Sequence, residues 1–337
     1  MKETLLSIIS EISSELFITY KQNILLSDMK RFNKCYSAIY LLEDIAEAFD
    51  YYKNLNDDKL ELGAKYLVIY GLLEGLYMQQ VALCDLSKSL GYGDIEYKEK
   101  YPDIYAIREV RNDVAGHPTS RNYDCYTTYL SRPDLSIRKI KYEETQDGKF
   151  IDFDIISNID KQEKFIKSQL ENLLGKLKKE KMEHIEKFKK DKLSDCFQMY
   201  CYANEKIYSH GRFYTQNDDM GFKLVSKITE KLKEKLNNRF VNWENTNFAD
   251  DIKFVEKICN YLLSKPEIIN EVSEENTFLK INLLENMFSH LQELKDMAKE
   301  VDAEYENNFE KKYTEGKAVL PNIIIKDENG EEVELNV

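Results

Sequence analysis

Glycine and proline are scarce, at 12 and 5 in 337 residues. A β architecture built on tight turns needs both at its corners, so their scarcity argues against a sandwich or barrel and for long helices. Tryptophan occurs once and histidine four times, which leaves few candidates for imidazole chemistry. The six cysteines (Cys35, Cys84, Cys125, Cys196, Cys201 and Cys259) include no CxxC pair. Neither a zinc ribbon nor a disulfide framework is expected from them. Cations are outnumbered: 48 Lys and Arg against 61 Asp and Glu give a net charge of −13. A chain of that sign is no general nucleic-acid coat, because coating phosphates needs an excess of cations. A local cationic cleft remains compatible with it. No phosphate loop, dinucleotide fingerprint, GxSxG elbow or HExxH pair occurs. His184 with Glu180, His210 and His290 show no two-ligand spacing, so neither a metal nor a cofactor is expected.

What is present is apolar and aromatic. Hydrophobic residues make up 42% and aromatic residues 12%, enough to bury a core. The length suits about two domains of roughly 150 residues. Leu5, Ile8, Ile9, Ile12 and Leu16 repeat at helical spacing and are interrupted by Glu11 and Glu15. That is an amphipathic helix, not a signal-peptide core, and a cytoplasmic location is expected. The run from Tyr66 to Cys84 holds 19 residues with one charge, Glu74, nearly the length of a membrane span. Glu74 near its middle, followed by Gln79 and Gln80, favours the buried central helix of a bundle, with no membrane partner.

Helical patterning covers 3–25, 30–54, 58–90 and 102–116. The last is announced by Pro102 and Asp103 and closed by Gly116, a residue suited to a left-handed stop. A small antiparallel β meander is expected at about 125–156, from the runs 126–130, 136–142 and 150–156. Helix returns at 158–209, 217–237, 247–264 and 276–316, and the Asn329-Gly330 pair signals a terminal β-hairpin over 319–337. The expected fold is therefore mainly α: a helical domain with β meander (1–156), then a C-terminal helical region ending in the hairpin (157–337). Cys196 and Cys201 fall in an aromatic helical run, as core residues. The lysines of 176–192 alternate with Glu180, Glu183 and Glu186, as on a solvated helix face.

One stretch carries chemistry. Ile104, Ile107, Arg111 and Val114 form a single helical stripe, which puts Arg111 on the apolar face, with Arg108 about one residue off it. A buried arginine must find partners. His117 follows just past Gly116, so its ring is free to fold back toward Arg111 and Asn112. A fixed guanidinium beside an imidazole that titrates near neutrality suits an anionic phosphate and a proton transfer.

Arg111-Asn112-x4-His117 resembles the R-x4–6-H signature of HEPN domains, in which a polar residue often follows the arginine. The setting is similar too: a long apolar helix (66–84), a connector, then a helix ending in the motif. The resemblance covers roughly residues 1–120, and it implies a HEPN-like helical bundle with metal-independent endoribonuclease activity. It further implies an RNA substrate and a homodimer whose two Arg/His pairs line one composite cleft. Carried over, His117 would move the proton of the ribose 2′-OH or of the leaving 5′ oxygen. Arg111 would stabilise the phosphorane charge, and Asn112 would position phosphate or histidine. HEPN toxins with R-x4-H-x-Y are AMPylated on that tyrosine; here Thr119 takes its place and the nearest tyrosine is Tyr123.

Beyond the motif, Arg121, Tyr123, Arg138 and Lys139 are candidate RNA-binding residues of a basic and aromatic platform. A solvated β surface explains them as well. By family analogy the biological role is that of a toxin or antiviral-defence effector, with the C-terminal region sensing a trigger, restraining the nuclease or recruiting a regulatory protein partner. An acidic end (Asp327, Glu328, Glu331, Glu332 and Glu334) is suited to screening a basic cleft. Two rival readings stay open: a non-catalytic HEPN-type scaffold for RNA or protein, and a helical interaction protein in which Arg111 pairs with a carboxylate such as Glu74.

Overall fold

Thr4 and Asp28 open the first helices by side-chain capping. The Thr4 hydroxyl accepts from the Ser7 N–H, and the Asp28 carboxylate accepts from the N–H groups of Lys30 and Arg31. The computed structural model describes residues 4–116, 128–132, 135–144, 148–208, 219–265, 274–306, 323–326 and 332–335. The chain divides into two compact units, Met1–Glu183 and His184–Val337.

The first unit begins with α1 (Leu5–Leu16), α2 (Thr19–Leu26) and α3 (Met29–Lys53), followed by a 3-10 turn at Asp57–Lys59. It continues with α4 (Leu62–Ser89), the one-turn α5 (Tyr97–Lys100) and α6 (Pro102–Arg111), which runs into a π-helical turn at Asn112–Gly116. Three strands, β1 (Thr128–Leu130), β2 (Lys139–Glu144) and β3 (Lys149–Asp154), lead into α7 (Ile155–Phe188).

The expected helix over 3–25 breaks at Phe17 and Ile18. Leu16, Ile18 and Tyr20 are all buried, a two-residue period that a helix buried on one face does not match, and Ile18 is extended at φ −65° and ψ 133°. The expected meander is an antiparallel sheet in the order β1-β2-β3, with Lys139 opposite Asp154 and Tyr142 opposite Ile151. Ile140, Tyr142 and Phe153 turn to the core, while Lys139, Lys149 and Asp152 face water. β2 starts later than the 136–142 expectation, because Ser136 and Ile137 both bond the Asp57 carboxylate, at 2.5 and 3.3 Å.

Two apolar clusters fill this unit. One joins α1, the first half of α3, the second half of α4 and Ile166 to Leu177 of α7. The other joins the second half of α3, the first half of α4, Ile107, Val114 and the inner face of the sheet. Fully buried Gln79, Gln80 and Gln162 lie between them along α4 and α7. Gln80 donates to the Ile104 carbonyl (3.0 Å) and to Gln162 (2.7 Å), and Gln162 donates to the Leu76 carbonyl (2.8 Å) and to Gln79 (2.9 Å). Because α7 contributes so much to these clusters, the boundary between units falls within α7, beyond the 156/157 expected from the sequence.

By length and composition alone α4 is apolar enough to cross a membrane. Its buried face is covered by α3, α6 and α7 side chains, and it carries Gln79 and Gln80 of the amide layer.

The second unit holds a 3-10 segment (Ser194–Met199), α8 (Tyr200–Tyr208), α9 (Asp219–Arg239), a 3-10 turn (Trp243–Asn245), α10 (Phe248–Ser264) and α11 (Glu274–Tyr305). The expected helix over 158–209 is thus interrupted between α7 and α8. Cys196 is buried as expected, whereas Cys201 is exposed, since it points away from the face of α8 that buries Ala203 and Ile207. Strands β4 (Ile323–Lys326) and β5 (Glu332–Leu335) pair antiparallel. The acidic and Asn-Gly residues of 327–331 lie outside the described residues.

At the root of this unit the Asp302 carboxylate accepts from the N–H groups of Leu193 and Ser194, both at 2.8 Å. It also faces the Arg239 guanidinium at 3.4 Å, whose side chain is 1% exposed. Arg239 lies over the Tyr305 ring at 4.7 Å, and the Tyr305 hydroxyl meets His184 Nε2 at 2.8 Å. Burial, reinforced by the Arg239 charge, pushes the His184 imidazole down to about 4 from its ordinary 6.5. Between those values the unfolded chain holds a proton that the folded chain does not, so stability present above pH 6.5 is lost as the pH falls toward 4. Chemical denaturation at pH 7 and at pH 5 is expected to show this loss in wild type, and a smaller loss in His184→Asn.

Candidate functional site

Pro102 at the first position and Asp103 in the first turn start α6, as its sequence predicts. Ile104 and Ile107 are buried on the predicted stripe, and so is Val114 beyond the helix. Arg111, the last residue of α6, lies on that stripe and points at α4. Its Nε and Nη2 both sit 2.7 Å from Glu74 Oε2, and Nη1 donates to Asn112 Oδ1 at 3.1 Å. The guanidinium lies over the Tyr77 ring at 4.6 Å. Its side chain is 19% exposed and that of Glu74 is 40% exposed. A guanidinium has five N–H groups; three are committed among the described residues.

Arg108 occupies the adjacent position. Its Nε donates to Gln80 Oε1 at 2.7 Å, and its guanidinium lies between the rings of Tyr77 (5.1 Å) and Tyr97 (5.0 Å). Tyr77 thus carries two arginines, a cation–π arrangement that holds two like charges near one another. The sequence named Arg108 only as an off-stripe residue. The available signal was the position of Tyr77 and Gln80, three and six residues beyond Glu74 on the same helix.

Gly116 differs from expectation. Its φ is not positive, unlike Gly91, Gly93 and Gly148, so it is no left-handed stop. α6 ends earlier, at Arg111, and residues 112–116 widen into the π-helical turn. Glycine at 116 leaves room for the guanidinium: a Cβ there would lie 2.6 Å from Arg111 Nη1 and 3.3 Å from its Cζ, so Arg111 would have to shift from its seat. The turn is anchored by Asp113, which is buried. The Asp113 carbonyl accepts from the Thr128 hydroxyl, and its carboxylate accepts from the Tyr142 hydroxyl at 3.4 Å.

Arg111 and Asn112 are in contact. His117, Thr119, Arg121 and Tyr123 lie outside the described residues. Arg138 turns its guanidinium to the main-chain carbonyls of Lys53 and Leu55 at the end of α3 and stacks on Tyr52 at 5.0 Å. Lys139 is exposed and sits 3.7 Å from Asp152. Arg138 thus has a stabilising task, and Lys139 presents its charge to solvent.

Beside Arg108 opens a cleft of about 410 Å³ lined by Cys84, Lys88, Asp94, Tyr97 and Tyr105, among others. Burial raises the Cys84 thiol above its ordinary pKa, and the thiol donates to the Asp94 carboxylate, so it has little thiolate character.

Comparison of the chain with family models, curated proteins and solved structures gives no match.

The seat of Arg111 is directly testable. Gly116→Ala is expected to destabilise the protein by about 1–3 kcal/mol, the usual range for a forced contact in a packed site. In an Arg111→Ala background the same change is expected to cost far less, since the clashing atoms are gone. Urea denaturation of the four proteins of this cycle measures the coupling.

Proposed function

We propose that this chain is a metal-independent endoribonuclease of HEPN type. The observation that carries the reading is the seat of Arg111: a guanidinium held by Glu74, Asn112 and Tyr77, with two N–H groups uncommitted among the described residues, six residues before the only histidine near it in sequence. A cation fixed before the reaction stabilises charge that grows only in the transition state. In this mechanism the ribose 2′-oxygen attacks the adjacent phosphorus, and the phosphorane charge falls on Arg111. Asn112 orients phosphate or imidazole, and His117 moves the proton of the 2′-OH or of the departing 5′ oxygen. The products are a 2′,3′-cyclic phosphate and a 5′-hydroxyl.

The reading includes a homodimer in which two such sites share a cleft. It is supported by the outer face of α4: Leu67 is 76% and Tyr70 is 41% exposed. Both lie one or two turns before Glu74 on one side of the helix. A cytoplasmic toxin or antiviral-defence role, a regulatory protein partner and a C-terminal region closing in a hairpin over 319–337 belong to the same proposal, by family analogy.

A second reading is favoured by the ion pair itself. Glu74 occupies the side of Arg111 that a phosphate would otherwise use, as in a non-catalytic scaffold whose arginine serves stability.

Incubating the purified protein with total RNA and tRNA in EDTA separates the two. The nuclease reading expects fragments ending in 2′,3′-cyclic phosphate, and for His117→Ala a cleavage rate lower by about 10²–10⁴-fold, the range of one general acid or base, with an unchanged melting temperature. RNA that is bound but left uncut, or equal cleavage by His117→Ala, overturns it. For the dimer, Leu67→Arg is expected to give a monomer by sedimentation and to lose cleavage together with dimerisation. A dimer that persists in Leu67→Arg removes α4 from the interface.

A further inference from the structure

In the second unit, Asp251 stands in the first turn of α10, and His290 and Glu293 stand one turn apart on α11. His290 Nδ1 lies 2.6 Å from Asp251 Oδ1 and 3.8 Å from Glu293 Oε2. One donor atom from each of the three residues falls within a span of 4.8 Å. The imidazole is held by the Phe254 ring, whose centroid is 4.1 Å from its own.

A histidine–aspartate pair explains only part of this. Nδ1 carries at most one hydrogen, and Asp251 takes it. Glu293 then adds a second negative charge beside the first with no proton left to accept from that nitrogen. Two carboxylates and an imidazole converging from two helices do satisfy a divalent transition ion, which needs both charge and nitrogen. Metal–ligand bonds of about 2.0–2.2 Å at tetrahedral angles separate donors by roughly 3.3–3.5 Å. The two observed separations bracket that value, so small side-chain rotations complete the set.

We propose that Asp251, His290 and Glu293 form a binding site for a first-row divalent transition ion, with Zn²⁺ as its representative. Three protein ligands leave a coordination position to water. The ion ties α10 to α11 and stabilises the unit by binding the folded form alone. This site is independent of the ribonuclease reading and stands or falls without it. Sequence inspection missed it because the ligands come from two helices; the spacing of His290 and Glu293 was the only local signal.

The test uses the full-length protein stripped with EDTA, dialysed, and titrated with ZnCl₂ by calorimetry and by thermal melting. Wild type is expected to bind one equivalent at this site and to melt higher. His290→Ala is expected to lose both effects. Glu293→Gln, an exposed substitution that leaves the His290–Asp251 bond intact, is expected to keep the metal-free melting temperature and to bind at least about tenfold more weakly. Cobalt substitution is expected to give d–d bands without a thiolate charge-transfer band. No zinc uptake by wild type, equal uptake by both variants, or a thiolate band overturns the site.

Discussion

Two glutamine amides meeting in a dry layer govern much of the first unit. Gln80 and Gln162 are fully buried between two apolar clusters; Gln80 donates to Gln162 and to the Ile104 carbonyl of α6, and Gln162 donates to Gln79 and to the Leu76 carbonyl of α4. Sliding α4 against α6 or α7 by one residue would leave several of these groups without partners, at about 1–3 kcal/mol each. Hydrophobic contacts alone are non-directional and tolerate such slips. The amide layer therefore sets the register, and the register decides what faces α6. Glu74 and Tyr77 arrive opposite Arg111 because Gln80 is tied to Ile104, and Arg108 extends the same network outward through Gln80 Oε1.

That placement serves the stability of Arg111 and, on the proposed reading, its catalytic use as well. A half-buried guanidinium needs an anion nearby, and Glu74 supplies one. The same pairing fixes the orientation of the remaining N–H groups, as a phosphate-binding group requires. Stability and catalysis are often read as alternatives at such a site. Here the carboxylate engages one edge of the fork, so a stabilised arginine and an anion-ready arginine can be one side chain.

Much of this was legible in the sequence because it depends on period. The apolar run of α4, the stripe of Ile104, Ile107, Arg111 and Val114, the Pro102 start of α6 and the alternation of β2 and β3 all follow from side-chain spacing. Glu74 could be named as a partner for Arg111 for the same reason. The missed features depend on contacts far apart in the chain. The break at Ile18 follows from what surrounds Leu16 and Tyr20, and the stabilising task of Arg138 from carbonyls at the end of a helix 85 and 83 residues away. Gly116 was read as a left-handed stop, whereas its φ is not positive and its lack of a Cβ makes room for Arg111. Its identity alone cannot tell a positive φ from the close approach of a side chain.

The wide turn at 112–116 has a consequence for how this sequence could vary. A π-helical turn accommodates one residue more than an α-helical path between the same ends. Removing a single residue between Asn112 and Gly116 would let the segment rewind as α-helix. The residues inside the turn would then be re-registered, while the ends of the turn kept their places. Asp113 would leave the Tyr142 hydroxyl. The chain length of this short loop thus acts as an indexing device, as restrictive for descendants of this protein as the identity of any residue within it.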